Sequence, residues 1–280
     1  MKYCVLYNPK SGGKGQGKEP AKNLTNILKN DELYFYSMPK IKDFQTFLNK
    51  IRDDIIICGG DGTLSYFLNK IHRINYKNHL WFYPTGSGND FCADLGENGK
   101  KPFLIDKYLK NLITLKINNK EYVVFNGAGA GIDGYTCAEG ERLRKKGKKT
   151  INYTLIGLKG LLYAFKPHDI KLEIDKKSYY FKNVWFSPVM LGKYFGGGMM
   201  VAPMQNRLKS NSLSIIIVTT KNRARLISIF PKIFKGQHIK YQKIVKVLHG
   251  NHIKITLNRP TPFQYDGEVI GNVSSYEMYL

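Results

Sequence analysis

The sequence predicts a two-part molecule: an α/β domain built on a parallel sheet over residues 1–110, then a mainly β domain over residues 111–280. Three observations carry this. In the first part, short apolar runs alternate with segments whose apolar residues recur at helical spacing. Three of those runs empty directly into glycine-rich polar turns. Beyond residue 111, apolar runs follow one another across short polar turns, the habit of antiparallel strands.

Taken in order, the first strand is "YCVLY", with a helix expected around residues 21–28. The second is "LYFYS", followed by Phe44, Phe47, Leu48 and Ile51 at i, i+3, i+4 and i+7 of one helix face. "IIIC" is the third, and Leu64, Phe67, Leu68 and Ile71 repeat the same spacing behind it. A fourth strand, "LWFY", runs into Pro84. Strand-then-helix repeats imply parallel pairing, with ligands at the carboxyl ends of the strands. The second part supplies "LITLKI", "YVVFN", "KLEI", "NVWFS", "LSIIIV", "IVKVL" and "HIKITL" as strands. One helix interrupts them, with Thr150 as its expected cap, an apolar face of Ile151, Tyr153, Leu155, Leu158 and Leu162, and Pro167 as its stop.

Among the 280 residues, 44 are Lys or Arg and 21 are Asp or Glu, a formal charge of +23 at pH 7. Such a chain is drawn to polyanions, be they anionic lipid, nucleic acid or nucleotide phosphate, and charge alone does not choose among them. A hydrophobic content of 42% supports packed cores and excludes a disordered chain. Cys4, Cys58, Cys92 and Cys137 are widely spaced and form no C-x-x-C pair, so buried free thiols are expected rather than a disulfide frame or a zinc site. "YCVLY" is cut short by Asn8-Pro9 and gives no signal-peptide core, and no apolar run approaches the roughly 20 residues of a membrane span. A cytoplasmic protein is expected.

Glycine is the informative residue in the turns. Gly59, Gly60 and Gly62 remove side chains where backbone N–H groups meet a ligand, and the helix behind them directs its positive end there, which makes a phosphate cradle. Asp61 inside it places a carboxylate where a Mg²⁺ ion or a hydroxyl proton would be. Thr85-Gly86-Ser87-Gly88-Asn89-Asp90 repeats the device after the fourth strand, and "YNPKSGGKGQG" supplies it after the first. One such turn can be a plain strand-to-helix corner; three on one sheet edge argue for a nucleotide. Familiar motifs do not account for them. Gly12 to Lys18 spells G-x-x-x-x-G-K, but Glu19 stands where a P-loop needs a hydroxyl for Mg²⁺. Gly129, Gly131 and Gly134 spell G-x-G-x-x-G after "YVVF", yet a basic run and a helix follow instead of a strand ending in an acid.

Four stretches then carry a resemblance: Asn8-Pro9-Lys10-Ser11-Gly12, Gly59-Gly60-Asp61-Gly62-Thr63, Pro84-Thr85-Gly86-Ser87-Gly88-Asn89-Asp90-Phe91 and Gln264-Tyr265-Asp266-Gly267-Glu268. In that order they resemble the signatures of the diacylglycerol kinase catalytic-domain family, its soluble bacterial lipid kinases above all. Asn126-Gly127-Ala128-Gly129 with Asp133, Gly196-Gly197-Gly198 with Ala202-Pro203, and Gly236-Gln237-His238 also fit, so the likeness spans nearly the whole chain. It implies an N-terminal α/β nucleotide domain like those of NAD kinase and phosphofructokinase, a C-terminal β-sandwich domain, and ATP in the cleft between. Residue by residue, it implies that Gly59, Gly60, Asp61, Gly62, Thr63, Thr85, Gly86, Ser87, Gly88 and Asn89 hold ATP. Asn8, Ser11 and Gly12 would line the same pocket, Ser37 would be a further phosphate contact, and Asp61 or Asp90 would meet Mg²⁺. The base on the substrate hydroxyl falls to Asp266 or Glu268, or to Asp61 in a sphingosine-kinase-like assignment; the sequence leaves the three open. The implied reaction is ATP-dependent phosphorylation of a membrane-lipid hydroxyl, diacylglycerol first, with sphingoid or phosphatidylglycerol-type lipids as alternatives.

Departures from the family pattern carry expectations of their own. Ser87 replaces a Thr and keeps the hydroxyl, while Ala93 stands where many relatives have Arg. After Ala202-Pro203, the Asp-Asp-Gly that holds a structural Mg²⁺ in bacterial members reads Lys209-Ser210-Asn211-Ser212, and without a carboxylate that second metal site is expected to be lost. The chain reaches Leu280 soon after "DGEVIG", where relatives often continue with another strand, so a reduced contact between the domains is expected.

The basic run "RLRKKGKKT" holds Arg142, Arg144, Lys145, Lys146, Lys148 and Lys149. On its own it is a solvated face, and no helix-turn-helix, zinc or aromatic-platform signature joins it to indicate nucleic acid. With the apolar helix behind it, it is expected to face an anionic membrane surface, where each Lys or Arg contributes about 1 kcal/mol. The expected partners are thus a membrane lipid and the surface of an anionic bilayer, met peripherally and without nucleic acid; a homodimer stays open. Two other classes compete. A NAD kinase-like enzyme with a soluble substrate would share Gly59 to Thr63 but not "TGSGNDF", and a non-catalytic anion-binding module would have no use for three acid-bearing glycine turns.

Overall fold

The computed structural model describes residues 1–9, 18–148 and 150–280. The expected ATP contacts Ser11 and Gly12 and the basic Lys149 lie outside the described residues. The chain divides into two compact units, Met1–Asn111 and Leu112–Leu280.

In the first unit, β1 (Lys2–Tyr7), β2 (Glu32–Ser37), β3 (Asp54–Gly59), β4 (Leu80–Pro84) and β5 (Phe103–Leu104) form one sheet in the order β2-β1-β3-β4-β5, parallel except at β5. Helices α1 (Lys18–Ile27), α2 (Phe44–Lys50), α3 (Asp61–Ile71) and α4 (Asp90–Leu95) connect them. Consecutive residues Val5, Leu6, Ile55, Ile56 and Ile57 are all buried, as strands covered on both faces require. The helical spacing of Leu64, Phe67, Leu68 and Ile71 puts all four in the core. Tyr7 lies beside both Ser37 and Cys58, and Gly59 lies beside Pro84. The carboxyl ends of four strands therefore share one edge of the sheet.

The second unit contains β6 (Ile113–Ile117), β7 (Lys120–Val124), β8 (Gly127–Ala130), α5 (Ile132–Lys145), α6 (Tyr153–Lys159), β9 (His168–Ile174) and β10 (Lys177–Phe186). It continues with β11 (Val189–Met190), β12 (Tyr194–Phe195), β13 (Met199–Met200), β14 (Leu213–Thr219), α7 (Arg223–Ile229), β15 (Val245–Gly250), β16 (His252–Tyr265) and β17 (Glu268–Tyr279). Ten of these strands share a sheet in the order β7-β6-β17-β16-β8-β11-β14-β10-β9, with β15 on β14. Because β9 also pairs with β16, the ladder returns on itself. Leu172, Val189, Ile215, Ile255 and Phe263 pack in one core, while Leu161, Phe165, Trp185, Leu226 and Ile229 form a second that holds the helices.

Among the described residues of this unit stand three α-helices where the sequence predicts one. The expected helix begins at Tyr153 rather than at Thr150, because Asn152 is its cap: the Asn152 side chain accepts the Leu155 N–H at 2.9 Å. It then passes into a wider π-type turn over Gly160–Ala164. The unforeseen α5 carries no apolar stripe because it packs through glycines. A methyl on Gly134 would run into the Pro262 carbonyl of β16, and one on Gly140 would meet the Tyr153 ring. No described helix is long and apolar enough to cross a membrane. All four cysteines are free, and burial pushes the thiols of Cys4, Cys58 and Cys137 up to about 12.

Candidate functional site

The glycine turns of the first unit meet one another directly. Gly60 caps α3, and a methyl built on it would lie 3.0 Å from the Gly86 Cα. A methyl on Gly86 would lie 2.6 Å from the Gly60 Cα and 2.9 Å from Asn89 Oδ1. Only two glycines allow the backbones of these turns to pass so closely. Asp61, the first residue of α3, reaches across: its Oδ2 accepts the Asp90 N–H at 2.8 Å and its Oδ1 accepts the Phe91 N–H at 3.2 Å. The carboxylate thus caps α4 and ties the third-strand turn to the fourth-strand turn. Asp90 itself is buried in the first turn of α4.

Asn89 adopts the left-handed conformation, φ 49°, and its side-chain amide donates to the Gly86 carbonyl at 2.7 Å. Its Oδ1 is buried with no hydrogen-bond partner. Thr63 is buried and its N–H donates to the Gly60 carbonyl at 2.9 Å. The Thr85 N–H donates to the Gly59 carbonyl at 2.8 Å, while Gly62, Ser87 and Gly88 are exposed. Asn8 follows β1 and Ser37 ends β2 on the same edge, and the Ser37 hydroxyl is likewise buried without a partner. The structure thus gathers Gly59 to Thr63 with Thr85 to Asp90, and sets Asn8 and Ser37 along the same edge of the sheet.

In the second unit, Asp266 and Gly267 are the two central residues of the β16–β17 hairpin, with φ of 44° and 88°. This is the turn in which positive φ at both positions matches the twist of the strands. The Asp266 carboxylate is buried and fully engaged. It accepts the N–H groups of Phe125 at 2.9 Å, Asn126 at 2.9 Å and Gly127 at 3.1 Å. Glu268 reaches solvent, yet it is crowded enough that partial burial raises its pKa; the Glu141 carboxylate adds to the rise and Arg144 opposes it. Nearby, Asp133 is buried in the first turn of α5, where burial lifts its carboxyl to about 6. Its Oδ2 accepts from the Gln264 amide at 3.1 Å.

Residues 2–117 match the family described as "Diacylglycerol kinase catalytic domain", and residues 126–278 match "YegS C-terminal NAD kinase beta sandwich-like domain". The chain belongs to the diacylglycerol kinase family. Among diacylglycerol kinases it is 25% identical over 290 residues to that of Staphylococcus aureus (strain bovine RF122 / ET3-1), covering 99% of this chain and 90% of that one. It is also 25% identical over 223 residues to that of Bacillus subtilis (strain 168), covering 78% and 72%. The crystal structure of a diacylglycerol kinase from Bacillus anthracis str. Sterne superposes with a TM-score of 0.62 at 17% identity, covering 100% of this chain and 93% of that one. That likeness bears out the α/β domain followed by a β-rich, sandwich-like domain. Membership of the diacylglycerol kinase family makes the protein a kinase, and ATP is the donor that the family implies.

The donor set decides how a metal would be held. Among the described residues no group of three or more His, Cys, Asp or Glu is placed to bind one. A Mg²⁺ ion that travels on nucleotide phosphates needs only one or two protein carboxylates. Asp61 fits that requirement as a carboxylate placed where the two glycine turns meet. Sequence reasoning missed Arg144 and Glu141 as neighbours of Glu268. It also missed Arg207, a buried cation in a loop whose other charged residue, Lys209, is exposed.

Proposed function

We propose that this kinase transfers the γ-phosphoryl group of ATP to a hydroxyl of a membrane lipid, with diacylglycerol as the acceptor and phosphatidic acid as the product. The observation that carries the reading is the coupled pair of glycine turns tied by Asp61, with the family membership of both halves of the chain. In this reading the turns at Gly59 to Thr63 and Thr85 to Asn89 bind the nucleotide through backbone N–H groups, and Asp61 meets the Mg²⁺ that neutralises the phosphates. Glu268 takes the proton of the acceptor hydroxyl. Its raised pKa suits a general base, whereas the three amide donors on Asp266 hold that carboxylate as a fixed anion and leave it an anchoring role. The second unit meets an anionic bilayer peripherally.

Transfer of labelled phosphate from ATP into an organic-soluble product tests the reading, with diacylglycerol, a sphingoid base, phosphatidylglycerol and NAD offered in parallel and Mg²⁺ varied. Diacylglycerol is expected to be labelled first and fastest. Labelling of a sphingoid base alone would move the acceptor to another lipid class, and labelling of NAD alone would overturn the lipid reading.

A further inference from the structure

The loop of residues 203–212, between β13 and β14, does not suit a divalent cation. No Asp or Glu occurs anywhere between Asp175 and Asp266. Three neutral side chains of the loop, those of Gln205, Asn206 and Ser210, are spent on the loop and on β14. The Gln205 amide donates to the Ser212 carbonyl at 2.8 Å, and the Gln205 Oε1 accepts from the Ser214 hydroxyl at 2.5 Å. Asn206 Oδ1 accepts the N–H groups of Leu208 and Lys209 at 3.1 and 3.2 Å, and the Ser210 hydroxyl accepts the Asn206 N–H at 3.1 Å. A hard cation needs several oxygens, some of them anionic, turned toward one point. Here the loop holds no anionic oxygen and three of its polar side chains are taken up by neighbours, so the Mg²⁺ that the resemblance attaches to this loop does not fit.

One buried cation belongs to the loop itself. Arg207 is 8% exposed, and its guanidinium donates to the Phe125 carbonyl at 2.8 Å and to Asn126 Oδ1 at 2.8 Å. The N–H groups of Phe125, Asn126 and Gly127 meanwhile donate to Asp266. The Asn126 carbonyl accepts the Leu191 and Gly192 N–H groups at 2.9 and 3.1 Å, so the N–H, the carbonyl and Oδ1 of Asn126 are all engaged. A buried anion thus holds the three backbone donors of one short turn while a buried cation holds two of its acceptors. A buried carboxylate is costly unless an opposite charge and hydrogen bonds compensate it. Glu268 stands two residues beyond Asp266, at the start of β17, and takes its position from that anchored hairpin.

We propose that Arg207 is a positioning residue: a covalently held cation that fixes the turn of residues 125–127, and through Asp266 the placement of Glu268, in place of a divalent cation in the 203–212 loop. The catalytic half of this inference rests on the lipid kinase reading with Glu268 as base; the metal half does not. A guanidinium serves better than an ion because it is planar, permanently charged and reaches two acceptors at once.

Two arms test it on the full chain. In the first, thermal melting of the wild type is followed with EDTA and across a Mg²⁺ titration without nucleotide. An unchanged midpoint is expected, and a midpoint that falls with EDTA and recovers with Mg²⁺ overturns the inference whatever the substrate proves to be. In the second, Arg207→Gly and Arg207→Lys are assayed for phosphoryl transfer from ATP. Turnover of Arg207→Gly is expected to fall roughly tenfold or more with KM for ATP held within about twofold. Added guanidinium should restore part of it, and Arg207→Lys should retain an intermediate turnover with its acid-side pH limb displaced. A folded Arg207→Gly with wild-type turnover and pH profile overturns the positioning role. Should that variant not fold, the displaced pH limb of Arg207→Lys supports the role and an unmoved limb opposes it. A wild type that phosphorylates no lipid at all strikes the functional reading, while the melting arm still decides the metal question.

Discussion

Asp266 and Glu268 are separated by one glycine and sit in opposite chemical circumstances. Asp266 is surrounded by donors that favour its charged form; Glu268 is partly desolvated beside another carboxylate, which favours its neutral form. A base works when deprotonated, so turnover should rise with pH through a value above the ordinary carboxylate range. Glu268→Gln should lower kcat by about a hundredfold or more and abolish that limb without changing the melting midpoint. Asp266→Asn should instead unsettle the fold by about 2–5 kcal/mol, since the amide removes the buried charge and its NH2 would face at least one of the three N–H groups with a donor. A stable Asp266→Asn with no turnover would move the base to Asp266. Asp133 gives a second test. Its folded value of about 6 lies above the unfolded carboxylate value of about 4, so its stabilising contribution is present below pH 4 and is lost as pH rises through 6. Asp133→Asn should therefore melt higher than the wild type above pH 7 and differ little near pH 4 in a melting series, and a constant difference across that range would refute this account.

At the scale of elements, the turns after β3 and β4 were readable in the sequence because glycine at those positions has a physical cause. Their mutual contact was not readable. Gly60 and Gly86 are 26 positions apart, and nothing in either turn announces that it packs on the other. That contact orders two substitutions. A methyl at Gly86 meets backbone and Asn89 together, while one at Gly60 meets a single Cα at the edge of tolerance. Gly86→Ala should cost about 1–3 kcal/mol and Gly60→Ala less, with KM for ATP rising in both, measured by melting and initial rates. The reverse order would mean that ligand approach, and not turn packing, selects these glycines. The parallel strands and α2 and α3 were legible from apolar runs and period; α3 buries all four expected positions, α2 buries Phe44 and Leu48 but not Phe47 or Ile51, and the edge strand β2 leaves Tyr34, Phe35 and Tyr36 exposed. Helices α5 and α7 were not, for different reasons. α5 hides its packing face in Gly134 and Gly140, and the apolar spacing of Leu226, Ile229, Phe230 and Ile233 is cut by Pro231, where α7 gives way to a tighter 3-10 turn. Arg207 was invisible because its partners lie some 80 residues back, in a turn whose importance comes only from Asp266.

At the scale of the whole molecule, the charge of +23 must be discharged against something, and the second unit shows where its cations already have company. Arg142 is paired with Glu139, Lys145 lies 2.7 Å from Glu141, and Arg144 sits over the Tyr153 ring while it opposes the raised pKa of Glu268. Arg144 therefore belongs with the proposed base, and a test of membrane docking must leave it in place. Behind the run, Leu155, Leu162 and Tyr163 are 48%, 46% and 68% exposed on α6 and the π-type turn, large apolar side chains beside basic ones. Arg223 fixes that turn by donating to the carbonyls of Leu161 at 2.7 Å and Phe165 at 3.0 Å. Replacing Lys145, Lys146 and Lys148 with Gln should weaken binding to anionic vesicles roughly tenfold to a hundredfold at low salt, at about 1 kcal/mol per charge. The difference should shrink as salt shortens the Debye length below about 8 Å. Replacing Leu155, Leu162 and Tyr163 with Ser should weaken binding as well, by an amount that salt does not change, because apolar insertion is not screened. Both triple variants should phosphorylate a detergent-dispersed lipid as the wild type does, read by the same labelled-phosphate assay. Equal losses in vesicles and in detergent would place these side chains in the reaction itself, and unchanged vesicle binding in both variants would make this edge an ordinary solvated surface.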